Sequence, residues 1–258
     1  MQKNTDKNAI YNTLLKKKEN GVKSLSILID PDKIKSQEGI KLLDFCKNHA
    51  PDFFMVGGSL ITNQQLEYVI QAIKSHPNTA HIPVVLFPNS YLHLSAIADG
   101  ILFLSLISGR NPEYLIGNHV IAAPILKQTQ LEIIPTGYVL VNCGNQTTVQ
   151  YISNTMPIPY EKNDIAVCTA LAGEMLGLKM LYIDGGSGAK QAISKEMISA
   201  VKQNIDIPLI IGGGIRTIEA MRNAFEAGAD TVVIGSAVEQ EPTQIEAFCK
   251  ELRNFNKG

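Results

Sequence analysis

The chain has 258 residues, 45% of them hydrophobic and 18% charged, and its formal net charge is −1. That is enough apolar material to bury the core of one α/β barrel. The near-neutral balance removes the clustered basic excess that a nucleic-acid binder needs to neutralise many phosphates.

Short apolar runs and longer helical patterns alternate along the whole chain, the arrangement of a parallel sheet built from βα units. A helix over residues 7–19 comes first, placed to cap the bottom of a barrel. A strand over 24–29 and a helix over 34–49 follow, then a strand over 53–56 and a helix over 64–75. The strands over 84–87 and 101–106 are separated by too few residues for a full helix, so the third outer helix is expected to be missing or reduced. A helix over 112–128 leads to a strand over 137–141. The polar stretch 142–163, with Pro157 and Pro159, has the length of a functional lid. Three further pairs end the chain: helix 164–178 and strand 180–183, helix 189–204 and strand 209–211, helix 218–227 and strand 231–234, closed by a helix over 243–254. Pro51, Pro83 and Pro208 each stand just before a strand, where a missing N–H costs little. Eight strands, apolar on both faces, make a single (β/α)8 TIM barrel over residues 1–258 the most economical fold.

In such a barrel the chemistry sits at the C-terminal ends of the strands. Three glycine turns stand there in succession: Asp184-Gly185-Gly186-Ser187-Gly188, Gly212-Gly213-Gly214 and Gly235-Ser236. Converging turns of this kind aim bare N–H groups at one spot and form a phosphate cradle, to which Ser187 and Ser236 add hydroxyls. Glycines after strands also relieve crowding at tight turns, which accounts for any one of them alone. At the first two strands Asp30, Asp32 and Ser59 offer hard oxygens that suit Mg²⁺ bridged to a phosphate ester. Asp-Pro-Asp ahead of a helix is equally a good N-cap. Arg110, in a turn opening a helix, can clamp a second phosphate group or lie on the surface. Asp184 is placed to act as general base toward a hydroxyl near the bound phosphate, and Tyr182, two residues earlier, shares its side of the strand.

The remaining reactive residue types exclude other chemistries. Cys46, Cys143, Cys168 and Cys249 match no metal or redox spacing, so reduced thiols in a cytoplasmic protein are expected. The five histidines show no zinc spacing. No segment approaches the roughly 18 apolar residues that a membrane span requires.

These motifs together resemble the geranylgeranylglyceryl phosphate synthases and their bacterial heptaprenylglyceryl phosphate relatives. The resemblance rests on Leu28-Ile29-Asp30-Pro31-Asp32-Lys33, Val56-Gly57-Gly58-Ser59 and Phe87-Pro88-Asn89, and on Tyr182-Ile183-Asp184-Gly185-Gly186-Ser187-Gly188-Ala189 with Gly212-Gly213-Gly214-Ile215-Arg216. It implies a prenyltransferase that joins the 3-hydroxyl of sn-glycerol 1-phosphate to a polyprenyl diphosphate and releases pyrophosphate with the help of Mg²⁺. It assigns Asp30 and Ser59 to Mg²⁺, and Tyr182, Ile183, Asp184, Gly185, Gly186, Ser187, Gly188, Gly213, Gly214, Gly235 and Ser236 to glycerol phosphate. On that reaction Lys33 and Arg110, chosen from their own positions rather than from the resemblance, are the residues expected to meet the diphosphate. The family suggests a dimer or a hexamer, and membrane contact is expected only through the lipid ligands. Family members commonly carry Glu where this chain has Asp184, one methylene shorter. A phosphosugar isomerase or lyase, and a non-catalytic phospholigand-binding barrel, are the competing readings.

Overall fold

The computed structural model describes residues 8–34, 37–58, 65–88, 90 and 93–257. Eight parallel strands close on themselves: β1 (Ser24–Ile29), β2 (Phe53–Gly57), β3 (Val84–Phe87), β4 (Gly100–Leu106), β5 (Glu132–Asn142), β7 (Met180–Asp184), β8 (Leu209–Gly212) and β9 (Thr231–Ile234). They run in sequence order around the ring, with β9 returning to β1 and β4 pairing β5. A two-residue strand, β6 (Ile158–Pro159), attaches beside the end of β5. The eight expected strands are all present.

Alternation along each strand builds two cores. Leu25, Ile27, Phe54, Leu86, Val139, Ile183, Ile211 and Ile234 face outward to the helices. Met55, Val85, Leu102, Tyr138, Leu140, Tyr182, Ile210 and Val233 fill the interior. Each such aliphatic side chain taken out of water contributes about 1.5–3 kcal/mol, so the strands hold together only in the register that keeps both sets covered.

The outer layer comprises α2 (Leu66–Ser75), α3 (Asn118–Leu126), α5 (Asn163–Met175), α6 (Lys195–Lys202), α7 (Ile218–Glu226) and α9 (Gln244–Phe255), with α1 (Ala9–Glu19) ahead of the barrel. Among the described residues no helix stands between β3 and β4, as expected for the third position. α1 does close the bottom: Leu14 joins the interior core, and the Glu132 carboxylate accepts the N–H groups of Ile10 and Tyr11 at 2.7 Å each, satisfying two orphan donors of the helix start.

Three expectations are corrected. The helix read over 34–49 is a 3₁₀ helix, Gln37–Cys46, because Ile40, Leu43 and Cys46 recur every third residue and that period stacks them on one ridge. The helix read from residue 189 starts only at Lys195, where the Ser194 hydroxyl accepts the Met197 N–H. β5 starts at Glu132, five residues ahead of the predicted 137, since Pro135 interrupts the apolar run but not the strand. The loop 142–163 also carries a short helix, α4 (Thr148–Ser153), capped by Thr147 and ended by Asn154 in the left-handed region.

The bottom rim repeats one device. Asp52 accepts the N–H of Leu25, Asp99 that of Val84 and Asp230 that of Leu209, so the residue before one strand holds the start of its neighbour. A helix lysine neutralises each carboxylate: Lys17, Lys74 and Lys202 respectively.

Candidate active site

The top of the barrel opens into a polar cavity of about 320 Å³. β7 brings Tyr182 and Asp184 to it, since residues two apart on a strand share a face. Asp184 is only 8% exposed. Its carboxylate accepts the Tyr138 hydroxyl at 2.6 Å and the Gly186 N–H at 2.8 Å. Burial raises its pKa above the ordinary carboxylate range, and those two hydrogen bonds only partly offset the shift. Burial, with Asp184 adding its charge, holds both tyrosine hydroxyls protonated far above their usual range. Phe87, Tyr138 and Tyr182 pack around the carboxylate with ring centroids 5.4 to 5.9 Å apart.

The glycine turns form the opposite wall. Ser187, Gly188, Gly213, Gly214, Gly235 and Ser236 border the same cavity. The N–H groups of Ser187, Gly188, Gly214 and Ser236 have no acceptor among the described residues, which leaves them free for an anion. Gly213 is a required glycine: its φ is +78°, and a Cβ there would stand 2.5 Å from the Gly185 nitrogen and 2.6 Å from the Asp184 carboxylate. Gly235 is not, because a Cβ would meet nothing closer than Leu28 at 3.6 Å. Gly185, Gly186 and Ile183 play supporting parts. The Gly185 N–H is spent on the Gly212 carbonyl, that of Gly186 on Asp184, and Ile183 points into the outer core.

Asp30, Asp32 and Lys33 complete the rim from the end of β1. Asp30 caps the short turn that follows, its Oδ1 accepting the Asp32 N–H at 3.1 Å, so both readings of this corner describe one carboxylate. Burial raises the Asp30 pKa. Lys33 donates to Glu239 at 2.7 Å and stands 3.6 Å from Asp30. Burial lowers its pKa, but these two carboxylates outweigh it and the net shift is upward. Glu239, on α8 (Ser236–Gln240), is a cavity residue that sequence reasoning missed. Tyr138 was missed as well: it reaches the site through its bond to Asp184 and borders the neighbouring apolar cavity, and its signal was a lone polar aromatic in an aliphatic strand. Ser59 lies outside the described residues. Arg110 borders neither cavity and donates instead to the Gly109 carbonyl at 2.7 Å.

The donor set fits a divalent cation. Asp30, Asp32, Asp184 and Glu239 line the cavity against Lys33 and Arg216 alone, an acidic pocket facing a cradle built for anions. Among the described residues no three His, Cys, Asp or Glu side chains gather as a ligand cluster. A cation bound here would have Asp30 as a ligand and would need to complete its shell from water and ligand oxygens, the habit of Mg²⁺.

A second, apolar cavity adjoins the first through Gly58 and Phe87, which border both. Leu94, Ile101, Phe103 and Leu104 line it together with Ala122 and Leu126 of α3. His119, buried edge-on against Phe103 at 4.4 Å, is part of its wall. Cys143, beside Asp184, is buried and its thiol is pushed up to about 12, so it is no nucleophile.

A closed ring of parallel strands with surrounding helices, its C-terminal mouth presenting N–H groups unpartnered among the described residues, defines a (β/α)8 barrel with anion-accepting donors at the mouth. Thiamine phosphate pyrophosphorylase from Pyrococcus furiosus shares this fold at 14% identity, with a TM-score of 0.57 over 91% of this chain and 97% of that one. The PcrB family model matches residues 17–252, and the chain belongs to that family. It is 50% identical over 241 residues to the geranylgeranylglyceryl phosphate synthase of Spirosoma linguale, covering 93% of this chain and 96% of that one. The enzyme of that name from Thermococcus gammatolerans is 40% identical, with 90% of each chain covered. Among solved structures, (S)-3-O-geranylgeranylglyceryl phosphate synthase from Thermoplasma acidophilum in complex with its substrate sn-glycerol-1-phosphate superposes with a TM-score of 0.88 at 33% identity, covering 96% of this chain and 99% of that one.

Proposed function

We propose that the chain is a prenyltransferase joining the 3-hydroxyl of sn-glycerol 1-phosphate to a polyprenyl diphosphate. The observation that carries this reading is the pair of joined cavities: an anion cradle with a buried carboxylate opens, past Gly58 and Phe87, into an apolar chamber. A phosphosugar isomerase needs the first and has no use for the second.

The unpartnered N–H groups of Ser187, Gly188, Gly214 and Ser236 take the glycerol phosphate, and the Ser187 and Ser236 hydroxyls add to them. Asp184 then faces the 3-hydroxyl. Fixed by Tyr138 and Gly186, it does not have to reorganise as the reaction proceeds. As the bond from the glycerol oxygen to the first prenyl carbon forms, the carbon–oxygen bond to the diphosphate breaks. The hydroxyl proton passes to Asp184, whose raised pKa makes it the stronger base. Phe87, Tyr138 and Tyr182 keep water from the reacting carbon. Lys33 receives the diphosphate. Asp30 and, from outside the described residues, Ser59 would hold Mg²⁺, which when bound would supply charge neutralisation to the departing pyrophosphate. The prenyl tail extends along Leu104, Phe103 and Ile101.

A homo-oligomer belongs to the same reading. Residues 114–126 carry no charged side chain, and Val120, Ile121 and Ile125 of α3, with Ile116 on the π-helical turn before it (Glu113–Gly117), stand exposed. Light scattering tests that point.

The test of activity is incubation with labelled sn-glycerol 1-phosphate and prenyl diphosphates of several lengths, with and without EDTA. The reading requires a solvent-extractable ether lipid that EDTA suppresses. No extractable product with any diphosphate would reject it.

A further inference from the structure

Lys33 is held from two sides. Its ammonium lies 2.7 Å from Glu239 and 3.6 Å from Asp30, and all three side chains border the polar cavity. Glu239 has a second tie: it sits three residues past Ser236 on α8, whose first turn borders the phosphate cradle. The side chains of Glu239 and Asp30 are 21% and 19% exposed, while that of Lys33 is 45% exposed and reaches into the open space between them. A free lysine loses rotamer entropy on meeting a ligand, a cost that is smaller when the protein has already fixed the side chain.

We propose that Glu239 is the positioning residue of the diphosphate subsite, holding Lys33 toward the leaving group and keeping its contact with the Asp30 carboxylate at 3.6 Å from closing further. Lys33 follows Asp30 by three residues, so without Glu239 the nearest anion for its ammonium is Asp30 itself. That collapse withdraws a donor from the diphosphate and puts a competing cation on the carboxylate assigned to Mg²⁺. One carboxylate, contributed by the last barrel unit, thereby supports both charges that meet the pyrophosphate at the first.

Simple electrostatics argues for the opposite effect. Removing one negative charge from an acidic cavity, with no positioning lost, tightens binding of an anion. The sign of the change therefore decides between the two.

The inference rests on the prenyltransferase reading, and its test keeps the two apart. Inorganic pyrophosphate is titrated by calorimetry, in the presence of Mg²⁺, into the full chain and into Glu239→Met, Lys33→Met and the double variant. Steady-state rates with a prenyl diphosphate are measured alongside. Glu239→Met is expected to weaken pyrophosphate binding and raise KM for the prenyl diphosphate by roughly tenfold, to raise the Mg²⁺ concentration at half-maximal rate, and to change kcat little. On the Lys33→Met background the same substitution is expected to change none of these, because Glu239 acts through Lys33. Glu239→Gln, which keeps the size and a weaker acceptor, falls between. Unchanged or tighter pyrophosphate binding in Glu239→Met overturns the proposal, as does a further loss when it is added to Lys33→Met. An unmodified chain that binds pyrophosphate but makes no ether lipid rejects the transferase reading and leaves the Glu239–Lys33 cycle still readable.

Discussion

The two rims of the barrel use carboxylates in opposite ways. At the bottom, Asp52, Asp99 and Asp230 each accept a strand N–H and face a lysine, so every charge and donor is matched within the protein. At the top, among the described residues, Ser187, Gly188, Gly214 and Ser236 leave their N–H groups unpartnered, and Asp184 is buried with two neutral donors and no cation bonded to it. The bottom spends its polar groups on stability. The top keeps them unsatisfied, and that unsatisfied chemistry is what a substrate can use.

The sharpest contrast comes from Asp184→Asn. Asparagine keeps the shape and can still accept from Gly186 while donating to Tyr138, but it cannot take a proton. Prenyl transfer is expected to fall by about 10² to 10⁴, measured as kcat. Stability is expected to move the other way. Because burial raises the native pKa of Asp184, the folded state binds more protons than the unfolded chain over the interval between the two values. The contribution of this group is therefore most favourable at low pH and declines as pH rises through the unfolded and then the native value. At neutral pH the ionised carboxylate is a liability, so Asp184→Asn should match or exceed the parent in Tm at pH 7, with the gap closing toward about pH 4. A variant that melts well below the parent at pH 7 would break the contrast.

Next in size is Gly213→Ala. Its positive φ and the approach of Asp184 and the Gly185 nitrogen force the turn to shift, and activity is expected to drop about a hundredfold with weakened glycerol phosphate binding. Asp230→Ala probes the other rim. It strands the Leu209 N–H and the Lys202 ammonium, and should cost about 2–3 kcal/mol in denaturant unfolding while KM for glycerol phosphate stays level. The smallest effect belongs to Gly235→Ala, where the added methyl has room and KM should change by about two- to threefold at most.

Much of the barrel was legible because buried parallel strands are apolar on both faces and the glycine turns follow them directly. The misreadings have local causes. Periodicity put a helix within 34–49 but overran its ends at Gln37 and Cys46, and it could not separate a repeat of three from one of about 3.6 over so few turns. Pro135 hid the start of β5, since a proline in a strand normally marks an edge and here it stands in a ring without edges. In the site, Asp184 and Asp30 were legible as polar residues ending apolar runs, and Tyr182 as the residue two before Asp184 on the same side of its strand. Tyr138 required knowing that it pairs with Tyr182 across β5 and β7. Glu239 required the closure of the barrel, which sets the last βα unit against the first across 206 residues of chain. Arg110 failed to reach the cavity because its own turn supplies two carbonyls for the guanidinium.

The most direct test is an amide NMR titration of the full chain with sn-glycerol 1-phosphate. The backbone resonances of Ser187, Gly188, Gly214 and Ser236 should move downfield together and saturate with one affinity, while the amides of Leu25, Val84 and Leu209 at the opposite rim stay in place. Binding that leaves those four amides unmoved would contradict a cradle made of unpartnered N–H groups.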